Sequence, residues 1–381
     1  TIPARSRTTV RLREAVPVGA VGLTLSASGN VLVELTGHAA GRSRPLGHSA
    51  RAHGQAGRHW VFADLEASGE VEEILTLANP SDADGAVRID FLGAGGLLGS
   101  ETVALPRQAV RVLRVPDAIV RTQQGPTARR ALSAQVMSLS DVSVVPSRLG
   151  VWRRGGSGQP TGSAASEGQA GAAPRWHFAY GSRDGGRDAA WVRIANPAET
   201  PTTVKTTFHL DDGDTWTDER TVMPRGSARI PVPVGAGPWF IEVDGGGTGI
   251  VAERATQPAA TLDGHSVSGA PALERHWGFA EGRQGAHGEL TFDTLFVMAN
   301  PTTEKVRVLA TFLPEGEAPT VGCLEAGPRS RLVIRASRYP ALEGRAFATL
   351  LQTSAPVVVE RVTRFASSRG QGVHAAVGLP L

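Results

Sequence analysis

Ile74-Leu75-Thr76-Leu77-Ala78-Asn79-Pro80 is the first of three related stretches in this chain of 381 residues. The tripeptide Ala-Asn-Pro returns at 195–197 and at 299–301, so three of the four asparagines in the sequence occupy the same motif. An apolar run precedes each tripeptide, and a polar turn and an alternating segment that ends in Phe follow it. This recurrence predicts a repeat protein.

Other signatures recur around each Ala-Asn-Pro. Trp-x-Phe-Ala precedes it at 60–63, 176–179 and 277–280. A segment that begins with Pro and contains Arg follows it, and an apolar run ending in Glu-Arg closes the second and third copies at 251–254 and 357–361. The first copy departs from this pattern and reads Val145-Pro146-Ser147-Arg148. Successive Trp positions lie 116 and 101 residues apart, which predicts one small domain per repeat, because solenoid units have about 20–50 residues.

The chain begins within a repeat. Pro3–Arg7 matches Pro328–Arg331, and Val31–Glu34 matches Val357–Glu360. A segment rich in Gly, Ser and Ala also separates the first two complete copies and is typical of a flexible linker. The predicted organisation is the C-terminal half of a β-sandwich repeat at 1–52, complete repeats at 53–152, 174–270 and 271–381, and a linker at 153–173.

The composition favours short strands and turns. Glycine (46) and proline (25) are plentiful, hydrophobic residues make up 41%, and we find no convincing helical periodicity. Asn-Pro ends each apolar run, because proline removes a ladder donor and the Asn side chain can close a turn. We therefore predict an all-β chain of tandem immunoglobulin-like β-sandwiches, with six or seven strands each, arranged as a rod with one flexible joint.

Charge and cysteine content exclude several classes of function. The net charge is only +3, and the 39 basic residues are interspersed with 36 acidic ones, so there is no basic stripe for nucleic acid. The one cysteine, Cys323, rules out an internal disulfide framework and a cysteine-based metal site. No apolar run approaches the ~18 residues that a membrane span needs.

The sequence lacks the usual catalytic motifs, including a nucleophile elbow, a P-loop and a zinc-binding His-Glu-x-x-His. We therefore predict no catalytic residues, no cofactor and no metal site. Glu34, Glu253 and Glu360 each follow an apolar strand and are expected to form ion pairs at strand ends. The acidic segment Asp211–Glu219 fits a hairpin turn at Asp-Gly, while calcium binding there stays open.

Six of the seven tryptophans fall into two groups. Trp60, Trp176 and Trp277 recur with the repeat and are expected to anchor cores or domain contacts. The other group lies outside the repeated positions and supplies the candidates for exposed contacts with a glycan. That group consists of Trp152, Trp216 and Trp239.

The third copy shows a resemblance to a known kind of repeat. Its Trp277–Gly282, the Asn-Pro strand end, the Pro-x-Ser-Arg segment and the closing Val-x-Glu-Arg resemble tandem repeats of exported bacterial surface proteins, which belong to families of unknown function. The resemblance covers nearly the whole chain and is weaker in the first copy, where Asp64 stands at the Glu position. It implies an array of β-domains outside the cytoplasm, with no catalytic residues to carry over.

Two functions from different classes follow as expectations. The first is a non-catalytic extracellular or cell-envelope protein that serves as a structural, stalk or adhesion element and can assemble with itself. A half sandwich exposes strand edges, so its expected partners are other surface proteins or further copies of this chain, joined by strand addition. The alternative is a carbohydrate- or cell-wall-binding module, with a polysaccharide as its partner.

Overall fold

A computed structural model describes residues 2–16, 20–39, 45–68, 70–115, 117, 130–153, 160–181, 189–232, 238–257 and 264–381. These residues form antiparallel sheets, which confirms the predicted all-β class of tandem β domains. The helical elements whose bounds are described are one four-residue turn, α1 (Leu12–Ala15), and two 3₁₀ turns, Ala336–Arg338 and Pro340–Leu342; Val115 and Asp117 are helical as well.

The N-terminal half repeat contributes one hairpin in addition to α1. Its strands β1 (Glu34–Ala39) and β2 (Leu46–Arg51) pair with each other in a two-stranded sheet.

Repeat 1 consists of two four-stranded sheets, ordered β3-β8-β5-β6 and β10-β9-β4-β7. Burial alternates along its Ala-Asn-Pro strand, where Val71, Leu75 and Leu77 are buried and the residues between are half-buried, as expected for a strand with one face on the core. Its strands are β3 (His59–Ala67), β4 (Val71–Ala78), β5 (Gly85–Gly93), β6 (Gly96–Leu105), β7 (Val110–Arg114), β8 (Arg130–Ser138), β9 (Val145–Trp152) and β10 (Gly162–Glu167).

Repeat 2 has the same two sheets, ordered β11-β16-β13-β14 and β15-β12-β17-β18. The described part of each of these two repeats thus contains eight strands, slightly more than the six or seven predicted. The strands of repeat 2 are β11 (Arg175–Phe178), β12 (Ala189–Asn196), β13 (Thr202–Leu210), β14 (Thr215–Val222), β15 (Gly226–Pro231), β16 (Trp239–Asp244), β17 (Val251–Gln257) and β18 (His265–Ser268).

Repeat 3 joins its two sheets through one long strand, β25. The first part of β25 pairs with β19 and β22, and its second part pairs with β21 and β26. The strands of this repeat are β19 (Glu274–Phe279), β20 (Gly285–His287), β21 (Leu290–Asn300), β22 (Val306–Pro314), β23 (Thr320–Ala326), β24 (Ser330–Arg335), β25 (Phe347–Ser367), β26 (Gly370–Val377) and β27 (Leu379–Pro380).

The repeated motifs stabilise the turns and the cores. The Asn300 side chain donates to the carbonyls of Glu304 and Gly327, both at 2.7 Å, and accepts from the Thr302 amide at 3.0 Å. Asn79 and Asn196 make the equivalent bonds, so the asparagines do close the turns. The three buried tryptophans that recur with the repeat each donate to a backbone carbonyl; they are Trp60, Trp176 and Trp277.

One turn has the same backbone conformation in all four units. A non-glycine residue there adopts a left-handed φ between 44° and 52°, just before the Pro-Arg strand. The half repeat contains this turn too, at the position that its sequence match with repeat 3 predicts. The residues are Arg5, Gln108, Arg225 and Arg329.

The repeats form a closed ring instead of the predicted rod. The second strand of each closing hairpin contacts two others in a cycle: β2 contacts β10 and β26, and β18 contacts the same two strands. Hydrophobic packing is also continuous between units, because Val61 and Ala63 of repeat 1 belong to the same buried cluster as the cores of repeats 2 and 3. Shared apolar surface removes more area from water than separate beads would, which is the physical reason for the ring.

The segment predicted as a linker is in part structural. Its residues Gly162–Glu167 form β10, which pairs with β9 and completes the closing hairpin of repeat 1. Residues 154–159 of the same segment lie outside the described part of the chain.

Candidate functional site at the repeat junctions

Four equivalent strands, β2, β10, β18 and β26, surround the centre of the ring. A small cavity there is lined mainly by short side chains at matching positions, because only small residues let four strands approach closely. These are Ser49, Ala165, Ser266 and Ala375.

One ion pair crosses this centre between the half repeat and repeat 1. Arg51 and Glu167 occupy equivalent positions on β2 and β10, and their side chains approach to 2.5 Å. The corresponding residues on the other two strands are Ser268 and Val377, which carry no charge. The central pair therefore marks one side of an otherwise repetitive ring.

A buried glutamate bridges each of three junctions between neighbouring units. Glu253 of repeat 2 accepts the Asp64 amide of repeat 1 at 2.8 Å. Glu360 of repeat 3 likewise accepts the Ala179 amide of repeat 2 at 2.8 Å. The third, Glu34 of the half repeat, accepts the Glu281 amide of repeat 3 at 2.9 Å. We call these three the junction glutamates; each binds the backbone at the end of a Trp-x-Phe-Ala motif.

The arginines that follow Glu253 and Glu360 pair in the same rotational sense. Arg254 of repeat 2 binds Glu360 of repeat 3 at 2.5 Å, with both side chains fully buried. Arg361 of repeat 3 then binds Glu34 of the half repeat. Arg148 of repeat 1 is the third junction arginine. These bonds run from one repeat to the next, so they hold the ring rather than the individual sandwiches.

Arg148 takes a different partner. Two of its nitrogens bind Glu73 of its own repeat at 2.8 and 3.0 Å. Its carboxylate counterpart at this junction, Glu253, has no ion pair among the described residues, and burial raises the pKa of Glu253 to about 8. This carboxyl is therefore protonated at neutral pH and stays in place as a neutral hydrogen-bonding group.

Asp64 organises the same junction from the other side. It binds Arg193 at 3.0 Å and the Trp191 indole at 2.9 Å, both on β12 of repeat 2. Burial alone would raise the pKa of Asp64, but Arg193 and Arg148 outweigh it and hold that pKa below its usual range. Asp64 thus carries the negative charge at this junction, while Glu253 does not.

Glu281 has the equivalent position at the junction of repeat 3 with the half repeat. It binds Arg7 at 2.5 Å and Arg283 at 2.8 Å. Burial acts to raise the pKa of Glu281, but Arg7 and Arg283 outweigh it and lower that pKa. For Glu34, by contrast, burial outweighs Arg361 and raises the pKa. At each junction, a carboxylate and an arginine from different units pair with each other and are buried. Such buried pairs are suited to holding two surfaces together.

The predicted glycan contacts are not exposed as expected. Trp239 is 0% and Trp152 is 5% exposed, so neither can stack on a sugar. Apolar side chains on neighbouring strands bury both indole rings. Trp216 is half-buried and packs on Phe208, with ring centroids 5.1 Å apart. The expectation of exposed aromatic contacts is therefore wrong for Trp152 and Trp239.

The acidic residues singled out in the sequence also have structural partners. The junction glutamates do form ion pairs or hydrogen bonds, but across junctions rather than with the neighbouring arginine at a strand end. Asp211, beside the hairpin turn between β13 and β14, binds Arg331 of repeat 3 at 2.7 Å.

The recurring histidines His48, His265 and His374 occupy equivalent positions on β2, β18 and β26. His374 lies 3.0 Å from His38 between Nε2 atoms; burial lowers the pKa of His38 to about 4 and holds the pKa of His374 well below its usual range, so both rings are neutral. Within the described ranges, no group of three or more His, Cys, Asp or Glu residues is placed to hold a metal ion.

Sequence reasoning missed the partners of these charges. No motif indicated the partners of Asp64, Arg193 and Arg7, because those partners lie in other repeats. One signal was present: the Glu-Arg pair reads Ser147-Arg148 in the first copy and Glu34-Leu35 in the half repeat. Loss of one member from each of two units indicates that the pair acts between units.

The fold and its junctions define an all-β protein of tandem sandwiches. In the part of the chain that the structure describes, no helix is long and apolar enough to cross a membrane.

Comparisons with known proteins add only distant likenesses. No family model and no curated protein matches the chain. The Thermotoga maritima protein 1070 aligns at 21% identity over 29% of this chain and 96% of its own, with a TM-score of 0.26. The Anabaena sensory rhodopsin transducer aligns at 21% over 23% and 87%, with a TM-score of 0.21. The major pilin of Streptococcus pyogenes aligns at 7% over 80% and 98%, with a TM-score of 0.16. At these scores the likenesses carry no argument about function.

Proposed function

We propose that this chain is a non-catalytic scaffold of the bacterial cell envelope, with a structural or adhesive role. The observation that carries the proposal is the set of buried junctions, in which charged side chains of one repeat bind the backbone and side chains of the next. Such contacts give a rigid body with a large outer surface, which is what a structural or adhesive element needs.

The use of the charged groups supports a non-catalytic role. The carboxylates and arginines with the deepest burial, such as Glu360 and Arg254, bind each other or backbone amides. A catalytic acid or base instead has to reach a substrate from a cleft. The resemblance of the repeats to those of exported bacterial proteins supports a location outside the cytoplasm.

The location is tested by labelling intact cells of the source organism with antibody to the folded chain, before and after protease treatment of the cell surface. We expect surface labelling that the protease removes. Labelling only after lysis would contradict the proposal, provided that an outer-surface marker is labelled in the intact cells.

The role is tested by deleting the gene and measuring cell attachment and envelope integrity against a complemented strain. We expect a defect that a variant with disrupted junctions, Arg254→Ala, fails to restore when it is present at equal amount. Restoration by secreted protein that is not retained on cells would instead indicate a soluble activity and contradict the scaffold.

A further inference from the structure

The contact between the half repeat and repeat 1, which we call the seam, differs from the three junctions. Ser147 occupies the position of a junction glutamate and is exposed, whereas Glu253 and Glu360 are completely buried. Leu35 occupies the position of a junction arginine and is 50% exposed, whereas Arg254 is 0% exposed. At the seam, therefore, serine replaces the glutamate on one side and leucine replaces the arginine on the other. These two positions are exposed to solvent there, whereas their equivalents at the junctions are buried.

The half repeat also carries an uncovered apolar surface near the seam. Seven of the fourteen exposed large hydrophobic side chains among the described residues come before residue 36. We call the following six of them the seam face: Val10, Val21, Leu23, Leu25, Val31 and Leu35, with exposures from 45% to 69%. An apolar cluster of this kind usually marks an interaction surface.

The complete repeats show what covers the equivalent residues. The stretch 21–25 is equivalent in sequence order to β8 and β16 of the complete repeats. In those strands the inward residues, such as Val136 and Ile241, are 0% exposed. The Trp-x-Phe-Ala strand pairs with each of them and helps to cover these residues. The hairpin strand β1 pairs only with β2, while its equivalents β9 and β17 also pair with the Ala-Asn-Pro strands β4 and β12.

The half repeat is already seated as a fourth member of the ring. A Cβ on Gly22 would meet the side chains of Ala78 and Val110 of repeat 1 at 3.2 and 3.3 Å. Repeat 2 makes the corresponding contact with repeat 1, where β15 contacts β8. The orientation of the seam face is therefore set by the same packing as the three complete junctions.

We propose that the seam face binds one further four-stranded β segment, the first half of a sandwich repeat that carries the Trp-x-Phe-Ala and Ala-Asn-Pro strands. This segment completes a fourth sandwich and gives the seam the contacts found at the three junctions. In a second copy of this chain, the three first halves are buried within its own repeats, so a second copy does not supply the segment without unfolding. The inference rests on the ring geometry and not on the proposed scaffold function.

The seam also selects the chemistry of this segment. In the half repeat, Arg7 binds Glu281, the residue that follows Trp-x-Phe-Ala in repeat 3. Repeat 1 has Val110 at the position of Arg7, since Val110 and Arg331 are both aligned with the alanine of their Ala-Asn-Pro strand. An acidic residue after Trp-x-Phe-Ala would lack its arginine here, so the segment carries an uncharged residue there, as repeat 2 does with Tyr180.

A fusion tests the proposal. Residues 271–326 with Glu281→Gln are joined ahead of Pro3, because Arg5 has the left-handed turn of Arg329 and Pro3 accepts the same serine hydrogen bond as Gly327. Hydrogen exchange is then measured across residues 20–35, and molecular mass is measured by light scattering. We expect amides in 20–35 to exchange at least about tenfold more slowly than in the chain alone, in a monomer.

Two matched controls interpret the result. A fusion whose grafted Trp277 and Phe279 are both changed to Asp should leave exchange at 20–35 as in the chain alone, and the fusion that retains Glu281 should protect less than the Gln version. Equal exchange in the Gln fusion and in the Asp control would overturn the proposal. Protection of 20–35 in the chain alone that grows with concentration and mass would also overturn it, because a second copy would then be the occupant.

Discussion

At the scale of single residues, the buried polar side chains carry the organisation of this protein. Asn79, Asn196 and Asn300 are each at most 2% exposed and satisfy several backbone groups at once. A buried polar group costs free energy unless it is hydrogen-bonded, so these positions tolerate few other residues. This explains why a rare residue recurs in one tripeptide.

Replacing Asn300 with Ala should therefore lower the free energy of unfolding by about 2–4 kcal/mol, because the carbonyls of Glu304 and Gly327 lose their donor. Urea unfolding followed by circular dichroism measures the change. Asn30→Ala is the matched control, because Asn30 is exposed and outside the motif. Equal effects of the two substitutions would contradict the assigned role.

Glu253 makes a second prediction at this scale. Its pKa is raised to about 8 in the folded chain, so the folded state keeps a proton that the unfolded state releases above its ordinary pKa near 4.5. Its contribution to stability is complete below that ordinary pKa and is lost as the pH rises through about 8.

We expect Glu253→Gln to flatten the fall in the free energy of unfolding between pH 5 and pH 8, because Gln keeps the neutral hydrogen bond to the Asp64 amide. Denaturant titrations across that range measure the slope. Glu219→Gln, at an exposed position on β14, controls for loss of one negative charge. An unchanged slope in Glu253→Gln would show that other groups set the pH dependence.

At the scale of elements, the closing hairpins do two jobs. Their first strands, such as β17 and β25, carry the Glu-Arg pairs that reach into the neighbouring repeat, and their second strands line the centre of the ring. Because a strand alternates its side chains, one hairpin can serve its own core and a junction at once. The elements that define a repeat are thus also those that join it to the next.

The pair between β17 and β25 is expected to be strongly coupled. Arg254→Ala should destabilise the chain by about 3–5 kcal/mol, since it leaves Glu360 buried without its counter-charge. The double variant Arg254→Ala with Glu360→Gln should recover part of that loss. The double-mutant cycle is measured by urea unfolding.

Lys305→Met supplies the comparison for that cycle. The pair of Lys305 with Glu325 is largely exposed, so its loss should change stability by at most about 1 kcal/mol. A loss from Arg254→Ala no greater than that from Lys305→Met would contradict the importance of the junction pair.

At the scale of the whole molecule, the ring changes what the repeats can do. Packed in a cycle, the units share a hydrophobic core, and the surface they present is fixed by the relative positions of four units. Independent beads on a rod would present the same surfaces without fixed spacing.

Small-angle scattering distinguishes the two arrangements. We expect a radius of gyration within a few ångström of the roughly 21 Å of a compact chain of this length, with a single peak in the pair-distance distribution. A long tail typical of a rod would contradict the ring. Measurement over a dilution series separates the shape of the monomer from association.

Local chemistry made much of the fold predictable. The Ala-Asn-Pro turns and the alternating strands around them depend on neighbours within a few residues, and the structure places them as predicted. The candidate site was not predictable in the same way. By residue type alone, Trp239 could serve as an exposed platform for a sugar. Only its packing against Phe208 and within its strand shows that it belongs to the hydrophobic core.

The sequence by itself determined the repeat, its all-β class, the Asn-closed turns and the buried tryptophans, because each follows from residue periodicity and local hydrogen bonding. The tertiary structure alone decided that the units close into a ring, and which glutamate meets which arginine. Those contacts join Arg254 to Glu360 and Arg361 to Glu34, across separations of 106 and 327 residues. Pairings at such distances depend on how whole sheets pack, and no local pattern encodes that packing.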